Sequence, residues 1–141
     1  MKIFLGHSFT NLIENGKVKT KYQDRILKII DLVKQKGHKI SCSLTREEFG
    51  KKLMNPEECT PLDFKEIKDC NLFFCFPGSS GGVHIELGWA SALSKDIVIL
   101  LNKEKNYSPL VKGLICLTNV RIIEYDDNDL LEKINGALKC L

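Results

Sequence analysis

The sequence predicts one α/β domain built on a parallel sheet of about five strands, with helices on both faces. Short apolar segments alternate with longer amphipathic segments along the chain, which is the order of repeated β-α units. The apolar segments lack the polar–apolar alternation of half-exposed strands, so each strand is expected to be covered on both faces. No linker, repeat or change in composition divides the 141 residues, and residues 1–141 are therefore expected to form a single domain.

Five apolar runs are predicted to be the strands of this sheet. The fourth run contains only β-branched residues and leucine, which favours a strand. In a parallel sheet, ligands bind at the carboxyl ends of the strands, so the loops 7–19 and 77–83 are expected to share the binding edge. The predicted strands are Lys2–Gly6, His38–Cys42, Asn71–Phe76, Ile97–Leu101 and Val120–Glu124.

Two helices are predicted before the third strand. The first extends from about Lys21 to Lys36, where apolar residues recur at helical spacing and Gly37 can end the helix. The second is expected to start at a Thr60 cap, with Pro61 in its first position, and to end near Lys68.

Two more helices are predicted in the second half of the chain. One extends from about His84 to Ser94, and the last follows a cap within residues 126–129. The segments 43–56 and 102–117 are predicted to be irregular, the first with one helical turn at Arg46–Lys52 and the second with a short helix. The buried stripe of the last helix is expected to be Leu130, Leu131, Ile134 and Leu138.

Composition and charge exclude several classes of protein. A net charge of +3 is too small to indicate nucleic-acid binding. No apolar stretch reaches the length of a membrane span, and the first residues enter a strand rather than a signal peptide, so a cytoplasmic protein without a membrane partner is expected. The six cysteines show no C-x-x-C spacing and the three histidines no i, i+4 pair, so neither a disulfide framework nor a metal site is predicted. Cys42, Cys70 and Cys75 are predicted to be small buried hydrophobes.

The segment Gly78–Val83 joins the third strand to the next helix and is rich in glycine and serine. Such a loop lets backbone amides converge on an anion, and the helix N-terminus adds partial positive charge, which favours a bound phosphate. Glu86 is expected in the first turn of that helix, where the same charge would keep its carboxylate ionised. The alternative is an ordinary strand–loop–helix junction, in which Glu86 only complements the helix dipole.

Three motifs along the chain, taken together, have a counterpart in a known family. The chain opens with Ile3–Asn11, Asp63 stands eight residues before Asn71, and Ser80–Ala90 contains the pattern E-L-G-x-A. These motifs resemble the nucleoside 2-deoxyribosyltransferase-like family, which are small Rossmann-like (flavodoxin-like) enzymes that cleave the N-glycosidic bond of nucleosides or nucleoside 5′-monophosphates. The segment 94–100 also resembles the family's next strand, with Asp96 in place of a proline.

The resemblance implies a role for each motif, in hydrolysis or in deoxyribosyl transfer. Glu86 would be the nucleophile that traps an oxocarbenium-like sugar at C1′, and Asp63 would assist proton transfer near the base and sugar. Without the resemblance, Asp63 would more simply complement the start of its helix. The remaining motif residues would bind a nucleotide or nucleoside, and they are Gly6, His7, Ser8, Phe9, Ser79, Ser80, Gly81, Gly82 and His84.

Ser80, six residues before Glu86, bears on the class of substrate. The resemblance implies that an acidic residue here contacts the 5′-hydroxyl of a free nucleoside, whereas serine suits a phosphate, so a 5′-monophosphate is predicted. The alternative is that Ser80 is only a turn residue. The chain lacks the arginine that monophosphate hydrolases of the family carry after the first strand, and His84 replaces a glycine. His84, a lysine of segment 17–21, or Arg25 would then have to meet the phosphate charge.

Two other functions stay open. The segment Ile3–Asn11 also resembles the opening of TIR domains, some of which cleave NAD with a helix glutamate, so an NAD glycohydrolase or cyclase is one alternative. A catalytically silent nucleotide-binding or interaction module is the other. The family resemblance implies a homodimer or larger homo-oligomer, and no cofactor is predicted. The apolar segments 107–111 and 114–117 would suit an interface, or they would pack on their own sheet.

Overall fold

A sheet of five parallel strands forms the centre of the molecule and confirms the predicted fold class. The computed structural model describes residues 1–8, 12–14, 17–117 and 119–139, with the backbone alone at Lys17. The strands are β1 (Lys2–His7), β2 (Ile13–Glu14), β3 (Lys17–Val18), β4 (Lys39–Ser41), β5 (Leu72–Phe76), β6 (Asp96–Asn102) and β7 (Val120–Tyr125). The sheet has the order β4-β1-β5-β6-β7, while β2 and β3 pair as a separate antiparallel two-stranded sheet that the sequence does not predict.

Helices cover both faces of this sheet, as predicted. They are α1 (Thr20–Gln35), α2 (Ser43–Arg46), α3 (Pro56–Asp69), α4 (Gly81–Ala92), α5 (Pro109–Gly113) and α6 (Leu130–Lys139), with single 3-10 turns at Glu48–Gly50 and Leu114–Cys116. Ile3 and Leu5 of β1 pack in the core beneath α1 and α6, whereas Phe4 packs in the core beneath α3, α4 and α5. Both faces of each central strand are therefore buried, which explains why the strands read as continuous apolar runs.

The strand order places a topological switch point between β1 and β5. The chain passes from β1 to β4 on one side and then crosses to β5 on the other side of β1. The last residues of these two strands, His7 and Phe76, are partners in the parallel register. Open α/β sheets usually bind ligands in the crevice at such a switch point, so a ligand site is expected at the carboxyl ends of β1 and β5, after His7 and Phe76.

The start of α3 differs from the prediction. The helix begins at Pro56 rather than at Thr60, because the side chain of Asn55 accepts a hydrogen bond from the Glu58 amide at 2.9 Å and caps it. Pro56 occupies the first helical position, where a missing amide costs nothing. Pro61 lies inside the helix, which continues past it with one backbone hydrogen bond fewer.

The start of α4 also differs, and this difference affects the site. Ser80 is extended and occupies the N-cap position, so the helix begins at Gly81, three residues before the predicted start. Glu86 is consequently the sixth residue of the helix and lies in its second turn, and the first turn contains no acidic residue. The prediction that the helix N-terminus keeps Glu86 ionised is therefore wrong, since that effect fades within the first turn.

The last helix and the segment after β6 follow the prediction only in part. The buried face of α6 consists of Leu130, Ile134, Ala137 and Leu138, whereas Leu131 is 38% exposed because it points about 100° away from Leu130. After β6, Val111 is buried, but Leu110 and Leu117 are 83% and 80% exposed. These exposed leucines are compatible with an interface, and the homodimer stays a prediction.

Cys42, Cys70 and Cys75 are buried free thiols, as predicted, and Cys59 and Cys116 are free as well. Within the described ranges, no three His, Cys, Asp or Glu side chains are grouped so that they could hold a metal ion. The helices of the same ranges include none with the length and apolar character needed to span a membrane.

Candidate active site

A cavity of about 190 Å³ lies at the carboxyl ends of β1 and β5 and contains three carboxylates. Its walls come from the end of β1, from α2 and the turn after it, from α3, and from the start of α4. Larger cavities lie beside β4 and between α1 and α6, but Glu86 lines neither of them. The residues lining the carboxylate cavity are His7, Ser43, Glu47, Asp63, Ser80, Gly82, Val83 and Glu86.

Glu86 is the most unusual of these carboxylates. It is only 9% exposed, and its Oε2 atom is buried without a hydrogen-bond partner among the described residues. The pKa of Glu86 is raised to about 8, chiefly by burial and also by the negative charge of Asp63, while the positive charge of Arg46 opposes both effects. An unpaired buried carboxyl group is costly for the fold, so its presence in a cavity indicates a function.

Gly6 makes room for the Glu86 carboxyl group. A Cβ atom at this position would lie 2.7 Å from Oε2 of Glu86 and 2.6 Å from the ring of Phe73, both closer than non-bonded atoms can approach. Phe73 is completely buried and stacks on Phe4, so the ring cannot retreat into solvent. A glycine is therefore required at the end of β1 for Glu86 to occupy its position.

Asp63 reaches the same cavity from α3 and is paired with a cation. Its Oδ1 accepts a hydrogen bond from Nη2 of Arg46 at 2.5 Å, and Nη1 of the same guanidinium donates to Glu66 at 2.9 Å. The Asp63 side chain is only 14% exposed. The two carboxylates singled out by the sequence thus line one cavity, with the guanidinium of Arg46 beside Asp63.

Glu47 is a third carboxylate of the cavity, which sequence reasoning did not single out. Burial raises the pKa of Glu47, with a further rise from Asp63, while Arg46 and the Met54 amide lower it. Glu48 and Phe49, which follow it, have left-handed backbone conformations with φ of 48° and 55°. Each such residue other than glycine costs about 1 kcal/mol or more, and here the burial of the Phe49 ring in the core offsets this cost.

His7 is held as a neutral imidazole. Its pKa is lowered to about 4, chiefly by burial; the hydrogen bond to the Ser8 carbonyl opposes this, and the charges of Arg25 and Lys105 add to it. Its Nδ1 lies 3.0 Å from the Ser8 carbonyl oxygen, which can only accept, so Nδ1 carries the proton. The ring stacks on Phe76 with centroids 4.9 Å apart. The remaining nitrogen, Nε2, is therefore a hydrogen-bond acceptor.

The loop Gly78–Val83 contributes Ser80, Gly82 and Val83 to the cavity wall, whereas Ser79, Gly81 and His84 do not line it. His84 instead donates from Nδ1 to the Ser80 carbonyl at 2.9 Å and thereby orients this loop. A contact between His84 and the substrate stays a prediction. Phe9, the remaining predicted substrate-binding residue, lies outside the described residues.

Of the groups predicted to meet the phosphate charge, Arg25 lines a second, smaller cavity. This cavity of about 50 Å³ shares His7 with the first, and its lining includes Ser8, Arg25 and Lys105. Arg25 and Lys21 both bind Asp127, at 2.7 and 2.9 Å. Lys105, which the sequence analysis did not consider, is thus a further cation near the end of β1.

Four residues at or behind the cavity were not found from the sequence: Ser43, Arg46, Glu47 and Glu66. The segment 43–56 has no periodicity that marks its charged residues as buried. Only the packing of α2 against β1 and the path of α3 bring these side chains to the cavity. The spacing of Asp63 and Glu66, one helical turn apart on α3, is the one signal that could have predicted a shared cation.

Comparison with known proteins identifies related structures. The chain is similar to the CMP N-glycosidase BcmB of Clostridium botulinum, with 31% identity over 99% of both chains and a TM-score of 0.73. It is also similar to BlsM, with 34% identity, a TM-score of 0.83 and coverage of 99% of this chain and 90% of that one. A 2-deoxyribosyltransferase from Bacillus psychrosaccharolyticus shares the fold at 16% identity and a TM-score of 0.65, over 98% of this chain and 96% of that one. No protein-family model and no curated protein matches the chain.

Proposed function

The chain belongs to the nucleoside 2-deoxyribosyltransferase-like family, and we propose that it cleaves the N-glycosidic bond of a nucleoside 5′-monophosphate with Glu86 as the nucleophile. The observation that carries this proposal is the unpaired, buried Oε2 atom of Glu86 in a cavity that Gly6 leaves open for it. The relatives with more than 30% identity include a CMP N-glycosidase, which supports the same bond type and a phosphorylated substrate.

The proposed reaction has two steps. In the first, an ionised Oε atom of Glu86 bonds to C1′ of the sugar, and the C1′–N bond breaks with its electron pair leaving on the base. In the second, water attacks C1′, and the C1′–Oε bond returns its electron pair to Glu86. The water loses one proton and the departing base gains one, so the net reaction is hydrolysis. The carboxylate of Asp63, which Arg46 holds in place, supplies negative charge beside the sugar that stabilises the cationic transition state and orients the attacking water.

The polar lining of the cavity supports a base with an amino group. His7 offers an acceptor nitrogen, and Glu47 offers carboxylate oxygens, so both favour a ligand that donates hydrogen bonds. Cytosine presents an amino group where uracil presents a carbonyl oxygen. We therefore infer that a cytidine nucleotide is preferred to the corresponding uridine nucleotide.

Release of free base from a panel of compounds tests this function. The purified protein is incubated with nucleosides, with their 5′-monophosphates and with NAD, and products are separated by chromatography. Free cytosine from a cytidine monophosphate, with little or no uracil from the uridine analogue, is the expected result. Nicotinamide release from NAD instead would favour the TIR-like alternative, and absence of any product would contradict an enzymatic function.

Replacing Ser80 by aspartate should reverse the preference for phosphate. Ser80 lines the cavity beside Glu86, and a carboxylate there would repel a phosphate while accepting a hydrogen bond from a 5′-hydroxyl. The kcat/KM for the 5′-monophosphate should fall by about a hundredfold, because two charges would be brought together in a partly buried site. Ser91→Asp, at a position near the far end of the same helix, is the matched control. A wild-type enzyme that prefers free nucleosides would contradict the phosphate assignment.

The activity should rise with pH up to about 8 and then level off. Glu86 must be ionised to attack C1′, and burial raises its pKa to about 8, so at neutral pH only a minority of the free enzyme carries the reactive carboxylate. Below this value kcat/KM is expected to fall about tenfold per pH unit. A profile of kcat/KM from pH 5 to 10 measures both the slope and the pH at which the activity levels off. A flat profile between pH 6 and 9 would show that a buried, protonated Glu86 does not control the reaction.

A further inference from the structure

We propose that Arg46 is the positioning residue of this site: its guanidinium holds Asp63 in place and supplies the positive charge that allows Asp63 and Glu86 to share one cavity. This inference rests on the proposed function. Arg46 is not among the residues lining the cavity, so its effect on the reaction passes through the carboxylates rather than through contact with the substrate.

The geometry is that of a clamp between two helices. Arg46 is the last residue of α2, and its two terminal nitrogens bind two carboxylates that lie one turn apart on α3, Asp63 at 2.5 Å and Glu66 at 2.9 Å. The arginine side chain is only 21% exposed, and its Nε atom is buried without a partner among the described residues. A planar guanidinium that is hydrogen-bonded to two carboxylates holds Asp63 in one orientation, which a flexible lysine could not do equally well.

The charges around Arg46 are unbalanced, and this gives the arginine its second role. Glu47, Asp63 and Glu86 line the cavity and Glu66 lies behind it, so four carboxyl groups are arranged around one guanidinium. Burial raises the pKa of Glu47, Glu66 and Glu86, Asp63 raises each further, and Arg46 lowers each. Without the arginine, mutual repulsion would favour protonation of the carboxyl groups, including the nucleophile.

The other groups facing Glu86 cannot replace this charge. His7 of β1 is neutral, because burial lowers its pKa to about 4. The Cys75 thiol of β5 and the Cys42 thiol before α2 stay protonated, since burial raises their pKa values well above neutrality. Asp63 of α3 and Glu47 after α2 are acids. Among the described residues, Arg46 is therefore the cation whose charge acts on Glu86.

The pH profile of Arg46→Gln tests the proposal. Glutamine keeps a hydrogen-bond donor near Asp63 but removes the positive charge. The acidic limb of the pH profile, where kcat/KM falls as the pH is lowered, should therefore move to higher pH by about one unit or more. Arg46→Lys keeps the positive charge but loses the two-point contact with Asp63 and Glu66. The acidic limb of its pH profile should stay within about 0.3 pH unit of that of wild type, while kcat falls. Glu66→Gln removes the other half of the clamp and is the matched control, with an unmoved limb expected because Glu66 does not act on the pKa of Glu86.

Two results would overturn the proposal. One is a folded Arg46→Gln enzyme whose acidic limb coincides with that of wild type. The other is loss of the circular dichroism spectrum of the fold in Arg46→Gln, which would make Arg46 a requirement for folding instead. Glu86→Gln is assayed alongside: if it stays active, the proposed function fails, and if it is inactive while the Arg46 variants keep the wild-type profile, only this inference fails.

The pH dependence of protein stability, measured without substrate, tests this inference separately from the proposed function. The stability of wild type relative to Glu86→Gln should fall as pH rises, because Glu86 with a raised pKa in the folded state holds a proton that the unfolded chain releases earlier. The fall should begin near the unfolded pKa of about 4.5 and end near pH 8. In the Arg46→Gln background, the upper end of this range should move up by about the same one unit. An unmoved upper end would overturn the proposal.

Discussion

Glu86→Gln is expected to lower kcat about a thousandfold while leaving the fold intact. The amide keeps the size of the side chain but cannot form the bond to C1′ or balance the charge of the oxocarbenium-like transition state. A thousandfold loss corresponds to about 4 kcal/mol of transition-state stabilisation. Base release measured by chromatography and the far-UV circular dichroism spectrum together check the expectation.

The stability of this variant distinguishes a functional carboxyl group from a structural one. Because Oε2 of Glu86 has no hydrogen-bond partner among the described residues, its replacement breaks no hydrogen bond of this atom. The variant should be at least as stable as wild type above pH 8, where wild type must bury an ionised carboxylate. Glu132→Gln, the same change at an exposed position of α6, is the control and should keep full activity. A Glu86→Gln enzyme that retains a tenth of the wild-type kcat would contradict the nucleophile assignment.

Gly6→Ala should both destabilise the protein and remove most of its activity. The added Cβ would lie 2.7 Å from the Glu86 carboxyl group and 2.6 Å from the Phe73 ring, so one of them must move. Overpacking of a filled core costs about 1–3 kcal/mol, and displacement of a nucleophile by about 1 Å lowers the rate by about a hundredfold. Urea unfolding and kcat measure the two effects.

Gly88→Ala is the matched control for this variant. Gly88 lies on α4, two residues after Glu86, and a Cβ there would meet no atom within 4 Å. Alanine should stabilise the helix by about 0.5–1 kcal/mol without changing activity. If Gly6→Ala were as active as Gly88→Ala, the close approach of β1 to Glu86 would have no role in the reaction.

The strands could be predicted closely because burial on both faces leaves one clear signal, a continuous apolar run. For β5, the predicted Asn71–Phe76 and the observed Leu72–Phe76 differ by one residue. Helix starts were predicted less well, because a cap depends on which polar side chain is close enough to bond to the backbone. Asn55 caps α3 five residues before Thr60, and a proline follows each of these two residues, so the sequence fits both starts.

Those site residues that belong to a single sequence motif could be predicted. Glu86, Asp63, Ser80 and Gly6 all lie at or beside one cavity, although their roles remain predictions. The ionisation of Glu86 could not be predicted, because it depends on burial and on the charges of residues distant in the chain. Arg46 was missed for the same reason: its importance comes from carboxylates 17 and 20 residues away that only the packing of α3 brings to it.

Covalent trapping of the sugar tests the central claim most directly. A 2′-fluoro nucleoside 5′-monophosphate slows both steps, because fluorine destabilises the cationic transition state, and the sugar-bound enzyme should therefore accumulate. After acid quenching and proteolysis, mass spectrometry should find one added fluorinated sugar phosphate, on the peptide that contains Glu86 and on its carboxyl group. A label on another residue, or consumption of the analogue with no label on any peptide, would contradict Glu86 as the nucleophile.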